Sequence, residues 1–262
     1  MKALAAAFWT ESLKVRKSKI FLITIIFYSF IALMMGVMMY ASQHPEFAAK
    51  SDLLSTKASF ISDPSWISFY NLLFQVILTM GTIGIGIITS WTFGREYSDR
   101  VIKDILALPV SRVTIVNAKF LVILIWNIIL TLVFFIIATL IGLAIKLTEW
   151  DLTFYGKMLR IFLTTSLLNS LLCTLVSFCS SIGRGFLLPI GFVVLTLMIP
   201  QFIFIAAPGI ARFVPWAIPA FYCNIAGPST PDPGLTGYIV FIITILTGLF
   251  GTWGWWRYAD QK

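Results

Sequence analysis

The stretch I-V-N-A-K-F-L-V-I-L-I-W-N-I-I-L-T-L-V-F-F-I-I-A-T-L-I-G-L-A-I, residues 115–145, decides the fold of this chain. After Lys119 it carries no charged side chain, and it exceeds the roughly 20 residues a helix needs to cross about 30 Å of hydrocarbon. In lipid every backbone N–H and C=O must be satisfied internally, which leaves helices and closed barrels. Barrel strands would alternate apolar and polar over about 10 residues, and this run does not. The rest of the chain agrees: 59% of residues are hydrophobic and 11% charged, with a mean hydropathy of +0.93. Such a composition excludes a water-soluble globule with a polar shell. Six spans are expected, at 20–41, 68–93, 115–145, 158–181, 186–207 and 236–256, giving an all-α integral membrane protein with one transmembrane domain over 1–262. The first span exceeds the 7–15 apolar residues of a signal peptide core and is expected to stay uncleaved.

Immediately before the deciding stretch, residues 91–112 read W-T-F-G-R-E-Y-S-D-R-V-I-K-D-I-L-A-L-P-V-S-R, the densest charge in the chain. On a helix, Tyr97, Val101, Ile102, Ile105 and Leu106 share one face, and Arg95, Glu96, Asp99, Arg100, Lys103 and Asp104 share the other. Glu96 to Arg100 and Asp99 to Lys103 are acid-before-base pairs four apart, each worth roughly 0.2–0.5 kcal/mol to a helix. Pro109 ends the pattern. Taken alone, the segment is either a solvated loop between two spans or a docking element.

Spans two and four carry polar or small stripes. Asn71, Gln75, Thr79, Thr82, Gly86 and Thr89 follow one another at helical spacing, as do Ser166, Asn169, Cys173, Ser177 and Ser180. Close helix packing in membranes favours such residues, and so does a translocation path. Asn127 with Thr131, and Thr244 with Gly248 and Gly251, look like packing faces, while Pro189 and Pro200 can kink span five. Residues 208–235 hold six prolines among apolar side chains, which suits a semi-buried external segment of short helices better than an ordinary loop. At the other end of the chain, residues 1–19 can form an amphipathic interfacial helix, with Leu4, Phe8 and Trp9 opposite Glu11, Lys14 and Lys17.

Thirteen Lys and Arg fall on the side of the N-terminus and of the 94–112 loop, against six on the other. The side richer in Lys and Arg is the cytoplasmic one, so both termini are expected there. The net charge of +8 is thereby accounted for without nucleic acid. Chemistry is sparse. The single histidine, His44, falls in a polar loop, no cysteine spacing suggests a disulfide or zinc site, and no metal centre is expected. There is no G-x-x-x-x-G-K-[ST] phosphate loop, so ATP chemistry would have to come from elsewhere. The spans are expected to bury no charge, which disfavours ion-coupled transport.

Six spans, an N-terminal surface helix, a semi-buried segment before span six and the loop F-G-R-E-Y-S-D-R-V-I-K-D-I-L-A-L-P-V-S-R resemble the permease subunits of ABC-2 type transporters. The bacitracin and lantibiotic exporter permeases of bacteria are the nearest in character. The most specific part is Glu96 followed by Ile105-Leu106 and Leu108-Pro109-Val110-Ser111-Arg112. Family loops commonly have glycine where this chain has Arg100. The resemblance implies a non-catalytic subunit in the bacterial cytoplasmic membrane. Glu96, Tyr97, Asp99, Arg100, Val101, Lys103 and Ile105 would form a coupling helix on a separate ABC ATPase, and Arg184 would lie in a second contact. It further implies two ATPases, a second permease copy, and ATP with Mg held by the ATPases alone. The stripe residues Asn71, Gln75, Thr79, Thr82, Asn169 and Ser177 are the candidates for a substrate path, with amphiphilic peptides, drugs or lipids as cargo. A stand-alone channel, a secondary transporter and an intramembrane enzyme are the alternatives.

Overall fold

A computed structural model of the chain describes residues 2–49, 51–61, 63–106, 109–148, 151–226 and 230–258. Six helices are long and apolar enough to cross a membrane, matching the six expected spans. After the N-terminal helix α1 (Lys2–Lys17), span one is α2 (Lys19–Gln43), followed by two short helices, α3 (Pro45–Ala48) and α4 (Asp52–Ala58). Span two is α5 (Trp66–Val76), a π-helical segment (Ile77–Gly81) and α6 (Thr82–Ser98). A short α7 (Ile102–Leu106) leads to span three, α8 (Arg112–Ala144). Span four is α9 (Leu152–Leu172) and α10 (Thr174–Gly183), and span five is α11 (Leu187–Ala206). Two 3-10 turns (Pro208–Phe213 and Pro215–Ala217) and α12 (Ile218–Tyr222) precede span six, α13 (Gly234–Tyr258). Among the described residues there is no strand, only an isolated bridge between Ser65 and Thr148.

Span three, the apolar run that decided the fold class, packs against α1, α2, α6, α9 and α13. Its aromatic side chains explain the arrangement. Phe134 stacks on Phe162 of α9 with centroids 5.7 Å apart, and Phe135 stacks on Tyr70 of α5 at 5.6 Å. Such pairs add about 0.5–1.5 kcal/mol beyond their buried area. Gly142 completes the seat, since a Cβ there would lie 2.4 Å from the ring of Trp66. The lipid-facing sides of α2, α11 and α13 expose Leu22, Ile26, Phe30, Leu195, Phe202, Ile242 and Phe250.

The expected packing faces behave as such. Asn127 donates from Nδ2 to the Ser166 carbonyl (3.1 Å) and hydroxyl (2.9 Å), and Thr131 shares a 2.6 Å bond with that hydroxyl. Gly248 lets α13 approach α10 so closely that a Cβ would sit 2.5 Å from the Leu175 amide. Span five runs through Pro200 as one helix. Beyond it, Ala211, Ala217 and Ile218 of the proline-rich segment are buried, while Pro228 lies outside the described residues.

The 91–112 segment departs from the single amphipathic helix expected there. Helix α6 continues span two as far as Ser98, then closes with Arg100 N–H on the Tyr97 carbonyl (3.2 Å) and Val101 N–H on the Glu96 carbonyl (3.1 Å). That double closure needs a left-handed residue, and Arg100 supplies it at φ 58°. A glycine would adopt this conformation without strain. Because the helix stops, Glu96 and Arg100 cannot pair along it. Arg95 reaches Asp99 instead, Nε to Oδ2 at 3.4 Å.

Candidate functional site

Two places gather the polar groups of this apolar molecule. The first lies at the end of the bundle where α1 packs. Lys119 enters span three seven residues after its start and is 1% exposed. Its ammonium donates to Glu96 Oε1 (2.7 Å), Glu11 Oε2 (3.0 Å) and the Thr92 carbonyl (3.0 Å), which satisfies all three protons. Lys14 bonds the same Glu96 oxygen at 2.8 Å and the other oxygen of Glu11. Two carboxylates and two ammonium groups therefore form a neutral cluster joining α1 to α6 and α8. Burial alone would raise the Glu11 carboxyl, but Lys119 and Lys14 outweigh it and hold the group below its ordinary 4.5. Burial alone would lower Lys14, but Glu96 and Glu11 outweigh it and lift the group above 10.5.

Glu96, expected to face a partner, is instead 2% exposed and committed inside the chain, although its Oε2 has no hydrogen-bond partner. Part of the polar face of α1 is likewise turned inward: Glu11 and Lys14 meet the spans, while Lys17 and Trp9 are exposed. The cause is electrostatic. A lysine inside an apolar span is tolerable only when paired, and α1 brings the carboxylate. The expectation that no span buries a charge fails at Lys119 for the same reason. A lysine inside an apolar run, with carboxylates on both flanking polar segments, is the signal that could have disclosed the cluster.

Beside the cluster, the turn after α6 exposes Asp99, Arg100 and Val101, with Tyr97 and Ile105 half-buried. The Lys103 side chain and Leu108 lie outside the described residues. The turn carrying Arg184 comes to the same end: a Cβ on Gly94 of α6 would lie 2.9 Å from the Gly185 carbonyl. Arg184 is exposed and left-handed at φ 48°. Arg112 Nη1 reaches the Trp256 and Arg257 carbonyls at 3.1 and 3.3 Å, so the end of α13 is there too.

The second place is a half-open cavity of about 590 Å³ lined by spans one, two, four and five and by Trp216, Ala220 and Ile225 from the segment before span six. Four of the six stripe candidates meet on it: Gln75, Thr79, Thr82 and Asn169. Thr196 and Gln201 of span five, which the sequence did not single out, join them. Asn71 is exposed and does not line it. Ser177 is buried elsewhere, 3.0 Å from the Thr252 hydroxyl of α13, in a packing seam. The stripes therefore serve both roles weighed for them, divided by residue. The π segment forms part of the cavity wall. Its looser turn leaves carbonyls to be satisfied from neighbours, and Asn169 Nδ2 donates to Ile77 O (3.1 Å) while Tyr28 OH donates to Gly81 O (3.3 Å).

Residues 7–200 match the family model described as ABC-2 family transporter protein. Over 68 residues, 26% of this chain, the sequence is 35% identical to a bacitracin transport permease protein of Bacillus licheniformis. That match spans about a third of the relative's length (33%). The family match runs through all four members of the ion cluster and the whole span-two wall of the cavity, and the chain belongs to the ABC-2 transporter family.

Proposed function

We propose that this chain is the membrane-spanning permease subunit of an ATP-driven ABC-2 exporter, energised by a separate ATPase that holds the ATP and Mg. In this reading two such ATPases serve two permease copies in a bacterial cytoplasmic membrane. The cargo is an amphiphilic peptide antibiotic, drug or lipid, in keeping with the bacitracin permease relative. The observation that carries the reading is the surface left at the α1 end. Asp99, Arg100, Val101 and Arg184 are exposed together there, on turns fixed by left-handed residues and backed by a rigid ion cluster. That end is cytoplasmic by the thirteen-to-six bias of basic residues. An ion-coupled transporter is less well supported, because the buried ion cluster pairs within itself and no charged side chain among the described residues lines the cavity.

The test is co-expression with a candidate ATPase, scoring co-purification, ATP turnover and export against a panel of peptide antibiotics. The chain alone should hydrolyse no ATP, and turnover should appear with the partner. Single cysteines replacing Ser98 and Ser51 should be labelled from the cytoplasmic and external sides respectively. ATP turnover by the homogeneous chain, or external labelling at position 98, would overturn the reading.

A further inference from the structure

The cavity carries more chemistry than a generic exporter path requires. Of its hydroxyl groups, Thr79 donates to the Gln75 carbonyl (2.9 Å), Thr82 to Leu78 (2.7 Å) and Thr196 to Val193 (2.7 Å). Their protons are spent on their own helices, so toward the cavity they offer lone pairs only. Asn169 has spent an amide proton on Ile77 O. Gln75 and Gln201 differ. Each is exposed on the cavity wall, and among the described residues neither side-chain amide has a partner within the chain. Two free primary amides, each with donors and an acceptor, thus face one another's cavity across spans two and five. Among the described residues no Asp, Glu, Lys, Arg or His lines it. Apolar walls come from Met35, Met38, Leu72 and Phe204.

A charged ligand would lose its hydration there and find no counter-charge, so the lining selects against it. A pure hydrocarbon would leave both amides unsatisfied. The volume falls within the roughly 300–1,000 Å³ of sites for drug-sized molecules. We infer that a single copy of the chain contains a complete binding site for an uncharged amphiphile. The hydroxyl- or amide-bearing head of that ligand bonds Gln75 and Gln201, and its apolar part lies along span one. As the assignment of a substrate, this rests on the exporter reading; as a binding site, it stands on the cavity alone.

The test uses the purified full chain in nanodiscs, without any ATPase. Three photoactivatable probes share one diazirine alkyl chain and differ in the head: a neutral glycerol ester, a carboxylate and a primary ammonium. Sites of attachment are read by mass spectrometry. The glycerol probe should label residues 72–82 and 196–204 saturably, about tenfold more than either charged probe. Gln75→Leu and Gln201→Leu should each lower that labelling about three- to tenfold, the worth of one neutral hydrogen bond. Asn71→Leu, on the same stripe outside the cavity, should leave it unchanged. Gln75→Glu keeps the shape and should shift preference toward the ammonium probe, which guards against a leucine variant that merely misfolds. A short-chain, water-soluble glycerol probe separates a ligand taken from water from one drawn out of the bilayer; either result fits the site. Equal labelling by all three heads, or wild-type labelling in both leucine variants and no shift in Gln75→Glu, would overturn the inference. Loss of ATPase association would sink the exporter reading and leave these results untouched.

Discussion

The ion cluster and the cavity are two polar regions of one apolar molecule, and they are built on opposite rules. In the cluster, charges meet charges and every ammonium proton of Lys119 is spoken for. In the cavity there are no charges among the described residues, and two amides are left without partners among them. A neutral set of ion pairs, closed but for Glu96 Oε2, fixes α1 to the spans. An open set of neutral hydrogen-bonding groups fixes nothing and gains from a ligand. Polarity inside a membrane therefore does not announce function by itself. What distinguishes joint from site is whether the polar groups have already satisfied one another.

The contrast breaks most severely at Lys119. Lys119→Leu strands Glu11 and Glu96 with Lys14 alone, and removing one partner of a buried ion set costs about 3–5 kcal/mol. The variant should melt well below wild type and lose protease protection of α1. Adding Glu96→Gln to Lys119→Leu should recover much of the loss, because Glu11 and Lys14 remain as a pair. Wild-type melting of the single variant would show that the cluster is not a joint. Thr82→Lys puts the same kind of charge at the middle of span two, on the cavity wall, with no acid to meet it. Insertion scales put an unpaired lysine at a helix centre at about 2.5–3.5 kcal/mol. Reduced membrane insertion in a glycosylation-mapping assay is the expected result.

A gentler probe of the joint is pH. Glu11 titrates below its ordinary 4.5, so its contribution is complete above that value and lost as the pH falls through the lowered one. Lys14 titrates above 10.5, so its contribution is complete below that value and lost as the pH rises past the raised one. Protection of the α1 amides, taken as exchange relative to the intrinsic base-catalysed rate, should be high and flat between about pH 5 and 10 and fall on either side. A transition near neutrality would contradict the pairing.

The cavity and the outer turn should respond in function and hardly in stability. Gln75→Leu removes no intrachain bond, so its melting temperature should stay within the equivalent of about 1 kcal/mol of wild type. Export should nevertheless fall, and unchanged export with wild-type folding would return Gln75 to the bundle surface. Val101→Asp, on the exposed turn, should shift stability by less than about 0.5 kcal/mol yet weaken ATPase retention in a pull-down. Full retention would remove this turn from the docking surface.

How much of this was legible in the sequence follows from what is local and what is not. The six spans depend only on length and apolar content, so they were visible in the run from 115 to 145 and in its five counterparts. Asn127, Thr131 and Gly248 were visible as packing positions because helical spacing puts small and polar groups on one face. Glu96 was singled out, but with the wrong neighbours. Its partners lie 82 and 23 residues away, on α1 and α8, and no spacing rule reaches across that distance. The stripe on span two was seen as one line. Its division between cavity and exposed face depends on what spans one, four and five bring against it. Gln201 escaped notice because one amide in an apolar helix forms no pattern, and its meaning lies in sharing a cavity with Gln75.

The π segment at Ile77–Gly81 puts the two polar regions out of phase. One inserted residue in an α-helix advances everything beyond it by about 100° and 1.5 Å. Gln75, before the insertion, and Glu96, after it, are thus set in two different registers on one continuous rod. Tyr28 of span one and Asn169 of span four hold the misfit from outside. Span two therefore works as a spliced shaft, and the splice lies against the cavity. Any rearrangement that absorbed the extra residue would turn the charged end against the amide end by that same angle of about 100°.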